Sequence, residues 1–248
     1  MTGGGAGSPP MISKVALVTG AGKRIGRSVA MRLAQDGAHV IVHYRSSEAE
    51  AQEVVKGIER LGRRSLAIGA DLTRVEEIRA LFQAVAEKLG RLDLLVNSAA
   101  NFNHTPFVST SEQSWDSSLD TNLKAVFFCC QAAAPLLQAT RGSIVNFSDI
   151  GGLLGWPGYI PHCVSKAGIV MLTRCLAKEL APEVRVNAIA PGTITMPGDP
   201  AEWEADYVRL APLGRSGRTG DVADAVAYIS SASFLTGQVV ILDGGRTL

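Results

Sequence analysis

Seven short apolar runs alternating with helical stretches predict an α/β protein built on one parallel sheet with helices on both faces. Two further observations narrow the kind of sheet. A glycine-rich turn, Gly20-Ala-Gly22-Lys-Arg-Ile-Gly26, follows the first run at once. Asp71, Asn97 and Pro191-Gly192 then close later runs. Special residues thus gather at the carboxyl ends of the strands, where open α/β sheets bind ligands.

The elements follow in order. Lys14–Thr19 is apolar and β-branched, a buried strand. Ile25, Val29 and Leu33 recur at helical spacing after the turn, and Gly37 closes that helix. Ala38–Tyr44 is the second strand, Glu48–Leu61 a charged helix, Arg64–Gly69 the third strand, and 74–89 a helix after Asp71. Leu92–Val96 is the fourth strand. Helical patterns cover Ser111–Asp120 and Asn122–Gln138, and Gly142–Phe147 is the fifth strand. Pro161 suits the first turn of a helix running to Leu180, because its missing N–H costs nothing there. Val184–Ala190 is the sixth strand. Residues 193–218 are irregular, with a short helix near Pro200–Leu210. Asp221–Ser230 is helical, capped by Thr219 or Asp221, and Gln238–Leu242 is the last strand. The unbroken alternation predicts a single domain over residues 13–248 after a flexible tail at 1–12.

The chain has 248 residues, 46% apolar and 19% charged, with net charge +1. Without a basic stripe or acidic tail, nucleic acid and membrane surfaces are not expected partners. The longest apolar run, Ala125–Leu137, is too short to span a bilayer. Cys129, Cys130, Cys163 and Cys175 show neither metal spacing nor disulfide-framework density, so no metal is expected. The N-terminal MTGGGAGSPP lacks the pattern of a signal peptide, which makes the reducing cytoplasm the expected compartment.

Backbone N–H groups of the glycine turn and the following helix dipole suit a pyrophosphate. Asp71 is placed to meet an adenine amino group. The second strand ends His43-Tyr44-Arg45-Ser46-Ser47 with no acid before Glu48, while Lys23 and Arg24 add positive charge in the turn. A 2′-hydroxyl calls for an acid here; a 2′-phosphate calls for cations and hydroxyls. The expected cofactor is therefore NADP(H) rather than NAD.

Taken together, Thr19-Gly-Ala-Gly-Lys-Arg-Ile-Gly26, Asp71-Leu72, Asn97-Ser-Ala-Ala100, Asn122, Ser148-Asp149, the spacing to Lys166 and Pro191-Gly192 resemble a classical short-chain dehydrogenase/reductase, over Lys14 to Gly245. The resemblance implies a Rossmann-like, doubly wound, seven-stranded parallel sheet. Within the family the chain is most similar to pteridine reductases. Arg24 stands where most members have glycine, Asp149 where most have the catalytic serine, and His43-Tyr44, Asn101-Phe102 and Tyr159 match that subgroup. The resemblance implies cofactor contacts from Gly20, Gly22, Lys23, Arg24, Ile25, Gly26, Tyr44, Arg45, Ser46, Ser47, Asp71, Leu72, Asn97, Ala99, Lys166, Pro191, Gly192 and Ile194. It implies substrate contacts from Arg24, Phe102, Asp149 and Tyr159, with Phe102 stacking on a flat heterocycle. It further implies a homotetramer or homodimer formed through the helices at Asn122–Gln138 and Pro161–Leu180.

One departure decides the chemistry. The family places tyrosine four residues before the lysine, and this sequence has His162-Cys-Val-Ser-Lys166. Thirteen residues separate Asp149 from His162, the family's separation between its serine and tyrosine. His162 and Lys166 share a helix face. The lysine ammonium disfavours a protonated ring and a nearby Asp149 carboxylate favours it. The expected catalytic set is Asp149, His162, Lys166, Asn122 and Tyr159, with His162 or an Asp149-held water delivering the proton. Tyr159 is either an aromatic wall or a substitute donor, and His162 alternatively only fills space. Trp156, Phe102 and Trp203 either wall an apolar pocket or belong to the core, while His104 and Met196 are expected as loop residues near the pocket mouth. Cys163 reads as packing rather than nucleophile. The expected activity is NADPH-dependent reduction of a C=O or C=N bond in a small molecule, with a pterin as the first substrate class. The alternatives are a ketone or 3-oxoacyl reductase, and a dinucleotide-binding sensor that lost the chemistry.

Overall fold

A computed structural model describes residues 11–248, apart from the Trp203 side chain. Residues 1–10 of the expected tail, and the expected pocket role of Trp203, lie outside the described residues. Met11 is buried against the core, so packed chain begins before residue 13.

The strands are β1 (Val15–Val18), β2 (His39–Tyr44), β3 (Ser65–Gly69), β4 (Leu94–Asn97), β5 (Ser143–Phe147), β6 (Arg185–Pro191) and β7 (Val239–Leu242). All pair in parallel, in the order β3-β2-β1-β4-β5-β6-β7. Strand order reverses between β1 and β4, which opens a crevice at their carboxyl ends. Strands buried on both faces must be apolar throughout, and β1, β4 and β5 are completely buried.

The helices are α1 (Arg24–Gln35), α2 (Glu48–Arg60), α3 (Val75–Leu89), α4 (Glu112–Leu119), α5 (Ala125–Thr140), α6 (Ile160–Glu179), α7 (Ala201–Leu210) and α8 (Thr219–Ser231). Residues of α1, α2 and α8, among them Val29, Leu33, Ile58 and Val226, build the core on one sheet face. Residues of α3, α5 and α6, among them Leu81, Cys129, Leu137 and Ile169, build it on the other. Local signals set the helix ends. Ser111 Oγ accepts from Ser114 N at 3.2 Å and caps α4. Gly90, at φ +68°, ends α3 in the left-handed conformation that a glycine adopts without strain. Asp221 serves α8 from its third position, accepting from Arg218 N at 2.9 Å. Arg218 is thus the cap residue, where Thr219 or Asp221 was expected.

The two helices expected at 111–120 and 122–138 are one continuous run. A π-helical turn, Asp120–Lys124, joins α4 to α5 and contains Asn122. The run Glu112–Thr140 is long and apolar enough by composition to cross a membrane. Here Val126, Cys129, Cys130, Ala133 and Leu137 face the core.

Candidate active site

A cleft of about 510 Å³ runs along the carboxyl ends of the strands, from the glycine turn past Asp71 to Asp149 and His162. Its floor is the turn after β1. Gly20 adopts φ +64°, and a Cβ on Gly26 would enter the carbonyl of Gly20. Strand end and helix start therefore approach closely, leaving the first N–H groups of α1 open to an anion. His43, which sequence reasoning did not single out as a site residue, bolts this turn in place. Its buried ring accepts from Gly20 N at 3.1 Å through Nδ1. Nε2 must then carry the proton and donate to Ala70 O at 3.0 Å. Burial pushes the His43 pKa down, which keeps the ring neutral and this tautomer available. Its place at the end of a buried strand, beside the turn, was the available signal.

Tyr44, Arg45, Ser46 and Ser47 line the cleft at the end of β2, and Asp71 and Leu72 line it after β3. Thr73 donates to Asp71 Oδ1 from its backbone at 3.0 Å and its hydroxyl at 2.8 Å. The Thr73 backbone N–H, against a smaller opposing effect of burial, holds the Asp71 carboxyl below the usual range. Cations and hydroxyls at β2, without an acid, fit a phosphorylated ribose better than a free one. Gly20, Lys23, Ile25, Gly26, Ala99, Pro191, Gly192 and Ile194 also line the cleft.

Four expected contacts sit differently. Gly22 lies outside the cleft, where a Cβ would meet Ser47 Oγ at 2.7 Å, so it brings α2 close to the turn. The buried Asn97 side chain points under the sheet, donating to Asn146 Oδ1 at 2.9 Å and to Cys130 Sγ at 3.3 Å. As an amide it serves this polar network between β4, β5 and α5, and only the Asn97 backbone remains at the strand end. Arg24 is in the cleft, but its guanidinium forms a two-pronged pair with Asp199, at 2.8 and 3.1 Å. Tyr159 lies behind the cleft lining. Its ring stacks on Phe102 with centroids 4.6 Å apart, so one face of Phe102 is already covered. His104 touches the other side of this cluster, 5.2 Å from Tyr159.

The chemistry gathers at the far end of the cleft. Asp149 follows β5 and begins a 3-10 turn, its Oδ1 accepting from Gly152 N at 3.2 Å. His162 lies in the first turns of α6, only 3% exposed, with Nε2 2.5 Å from Asp149 Oδ2. Lys166, one turn later, is buried and donates to Phe147 O at 2.8 Å. Burial raises the Asp149 carboxyl, but the His162 hydrogen bond and the Lys166 charge together outweigh it, and the carboxyl sits below its ordinary range. Burial lowers the Lys166 ammonium, against a smaller upward pull from Asp149. Phe102 stands perpendicular to the His162 ring at 4.8 Å, and Trp156 lies parallel to it at 6.3 Å. An acid–imidazole pair beside a buried cation, under an aromatic cap, can hold and move a proton out of bulk water.

Asn122 is buried beside this set without lining the cleft. Its Oδ1 accepts from Asn101 N at 2.9 Å, and its Nδ2 donates to Asn101 O at 3.1 Å and Ser165 Oγ at 3.2 Å. Ser165 Oγ donates to His162 O at 2.6 Å, so Asn122 ties the post-β4 loop to the helix turn carrying the imidazole. Cys163 is half-buried and its thiol is pushed up, mainly by burial, which agrees with packing rather than nucleophilic use.

Comparison with known proteins gives this arrangement its family. The model described as enoyl-(acyl carrier protein) reductase matches residues 20–247. The chain belongs to the short-chain dehydrogenase/reductase family. It is 39% identical over 241 residues to the 3-oxoacyl-[acyl-carrier-protein] reductase FabG of Staphylococcus aureus, covering 94% of this chain and 98% of the relative. It is 38% identical over 246 residues to 3beta-hydroxysteroid dehydrogenase 1 of Eggerthella lenta, covering 95% and 94%. A solved short-chain type dehydrogenase/reductase from Mycobacterium marinum superposes with TM-score 0.91 at 31% identity, over 97% of this chain and 98% of that one. The fold and oxidoreductase class expected from the sequence are thereby shown. Ketoreductase relatives at this identity favour the ketone or 3-oxoacyl alternative over the pterin.

Proposed function

We propose that the protein interconverts a ketone, such as a 3-oxoacyl group, and the corresponding secondary alcohol, with NADP(H) as hydride carrier. The observation that carries this reading is the joining, in one cleft, of a dinucleotide-type glycine turn with the Asp149–His162–Lys166 set. Bound nicotinamide supplies hydride exchange. The chain's own residues do the rest. The turn and α1 dipole receive phosphates, Arg45, Ser46 and Ser47 receive the 2′-phosphate, and Asp71 meets the adenine. Lys166 meets the nicotinamide ribose, and Asp149 and His162 handle the substrate proton. The names of the two curated relatives describe a 3-oxoacyl reductase and a hydroxysteroid dehydrogenase, which are the two directions of this reaction. The pterin reading draws on Arg24 and Phe102, and those side chains are engaged with Asp199 and Tyr159. Cytoplasmic placement and assembly into a dimer or tetramer belong to the same proposal.

The test is NADPH oxidation with acetoacetyl thioester and with dihydropterin as paired substrates, in wild type and His162→Phe. Turnover of the thioester, reduced by at least about a hundredfold in His162→Phe, is the expected result, in line with loss of a general acid–base. Preference for the pterin restores the first substrate class. Tight NADPH binding with no turnover of either substrate makes the protein a sensor.

A further inference from the structure

The ring of His43 ties together the ends of three neighbouring strands. β2 lies between β1 and β3 in the sheet, and His43, 2% exposed, is its last residue but one. On one side Nδ1 accepts from Gly20 N at 3.1 Å, in the turn after β1. On the other side Nε2 donates to Ala70 O at 3.0 Å, just past β3 and directly before Asp71. The backbone adds one bond on each side: Ala21 N donates to His43 O at 2.9 Å, and Ala70 N donates to Tyr44 O at 3.0 Å. One side chain thus sets the spacing between the turn proposed to hold the phosphates and the carboxylate proposed to meet the adenine. Only one protonation state fits. Gly20 offers a hydrogen and Ala70 an oxygen, so the ring is neutral with its proton on Nε2. A second proton, on Nδ1, would point at the Gly20 N–H and bury a charge between two donors. Burial holds the ring below the ordinary imidazole range, against smaller upward pulls from the Ala70 carbonyl and Asp71. The other charged groups around the ring are Lys23 and Arg24 in the turn, paired with Glu50 and Asp199, and Arg45 after β2. All three are cations and disfavour a second positive charge.

Resting on the dinucleotide reading above, we propose that His43 is a positioning residue for the cofactor: its neutral ring holds both sides of the cleft that receives the ADP half, and protonation of Nδ1 frees the turn and weakens binding. The closed turn has no room for a proton at Nδ1, whereas an open turn exposes an ordinary imidazole. Acid therefore favours the open turn. The loss begins as pH falls below about 6.5 and grows until the closed ring itself titrates. Above that value the hold is complete. The acid limit of cofactor binding is then set at the opposite end of the cleft from Asp149, His162 and Lys166.

Hydrogen exchange read by mass spectrometry tests the hold without any cofactor. In the peptide carrying Gly20 and Ala21, the open population, corrected for the intrinsic exchange rate, should rise at least about fivefold between about pH 7.5 and about pH 5. Two variants remove the titration and keep one half of the geometry each. His43→Asn retains an acceptor near the Nδ1 position, and His43→Gln a donor near the Nε2 position. Neither should show the acid step. At neutral pH His43→Asn should protect the turn better than His43→Gln, a split that lost packing alone does not produce. Calorimetric titration with NADP⁺ then reads binding. The 2′-phosphate takes up a proton at about pH 6, which weakens binding in all three proteins alike. The His43 effect is the excess: over the same pH range affinity should fall at least about threefold further in wild type than in His43→Asn. No acid step in the wild type, an acid step that persists in both variants, or an equal loss of NADP⁺ affinity in all three overturns the inference and leaves the dinucleotide reading intact. An acid step confined to the wild type, with no NADP⁺ binding at any pH, supports the hold of His43 on the turn and overturns the cofactor reading.

Discussion

At the scale of single residues, the proposed contact of Arg24 with the cofactor phosphates meets a rival in the side chain's own pairing. It holds φ +50°, a conformation that disfavours any residue with a Cβ, between Gly22 and Gly26 of the turn. In this structure the guanidinium grips Asp199, which also accepts from Met196 N at 3.0 Å. Arg24 holds its Asp199 partner below the usual carboxylate range, so the acid stays charged and competes with any phosphate for the same donors. Because Arg24 is half-exposed, the pair contributes at most about 1 kcal/mol. Asp199→Asn should therefore tighten NADPH binding by roughly threefold to fivefold, read by titration calorimetry. An unchanged dissociation constant would mean that Arg24 does not meet the cofactor phosphates. Sequence could identify Arg24 as charged and near the turn. Asp199 lies 175 residues away in an irregular segment with no periodicity to place it, so the pair was not legible.

At the scale of elements, strands and most helices were legible because each buries a face whose period the sequence records. β1, β4 and β5 are apolar throughout because both faces are covered, and Pro161 marks the first turn of α6. The join between α4 and α5 was not legible. Asn is a poor residue for a helix interior, which pointed to Asn122. Whether the chain breaks, kinks or widens there depends on partners from elsewhere, and those are Asn101 and Ser165. The π turn is thus a tertiary feature. Removing the amide in Asn122→Ala leaves the Asn101 N–H and C=O without their partners in a half-buried setting, at about 1–3 kcal/mol. At roughly 2–4 °C per kcal/mol for a chain of this size, calorimetry should show a melting temperature lower by about 2–12 °C. The loop carrying Phe102 should loosen as well, with a raised KM for substrate. A shift below about 1 °C would show that the turn holds without Asn122. The same logic explains Asn97. Its place at a strand end suggested a ligand contact, while the direction of its side chain was set by Asn146 and Cys130 across the sheet.

At the scale of the whole molecule, the sheet order and crevice follow from alternation and the glycine turn, whereas the surface does not, because exposure depends on which apolar residues the core leaves outside. Phe127 on α5 and Val164 and Met171 on α6 are 41%, 44% and 56% exposed. Further along α6, a groove lined by Leu153, Val170, Met171, Cys175 and Ile241, together with Arg174, Lys178 and Gln238, reaches the edge strand β7. Exposed apolar side chains of this kind favour burial against another protein surface. The simplest arrangement that buries them is a closed assembly of identical chains, in which each patch meets its own copy about a twofold axis. Light scattering on purified protein should then give the mass of two or four chains. Met171→Glu places a charge in that groove, outside the cleft lining, and should shift the mass toward one chain with the far-ultraviolet spectrum unchanged. A single-chain mass in the unaltered protein would remove the assembly and leave the patch to a different partner.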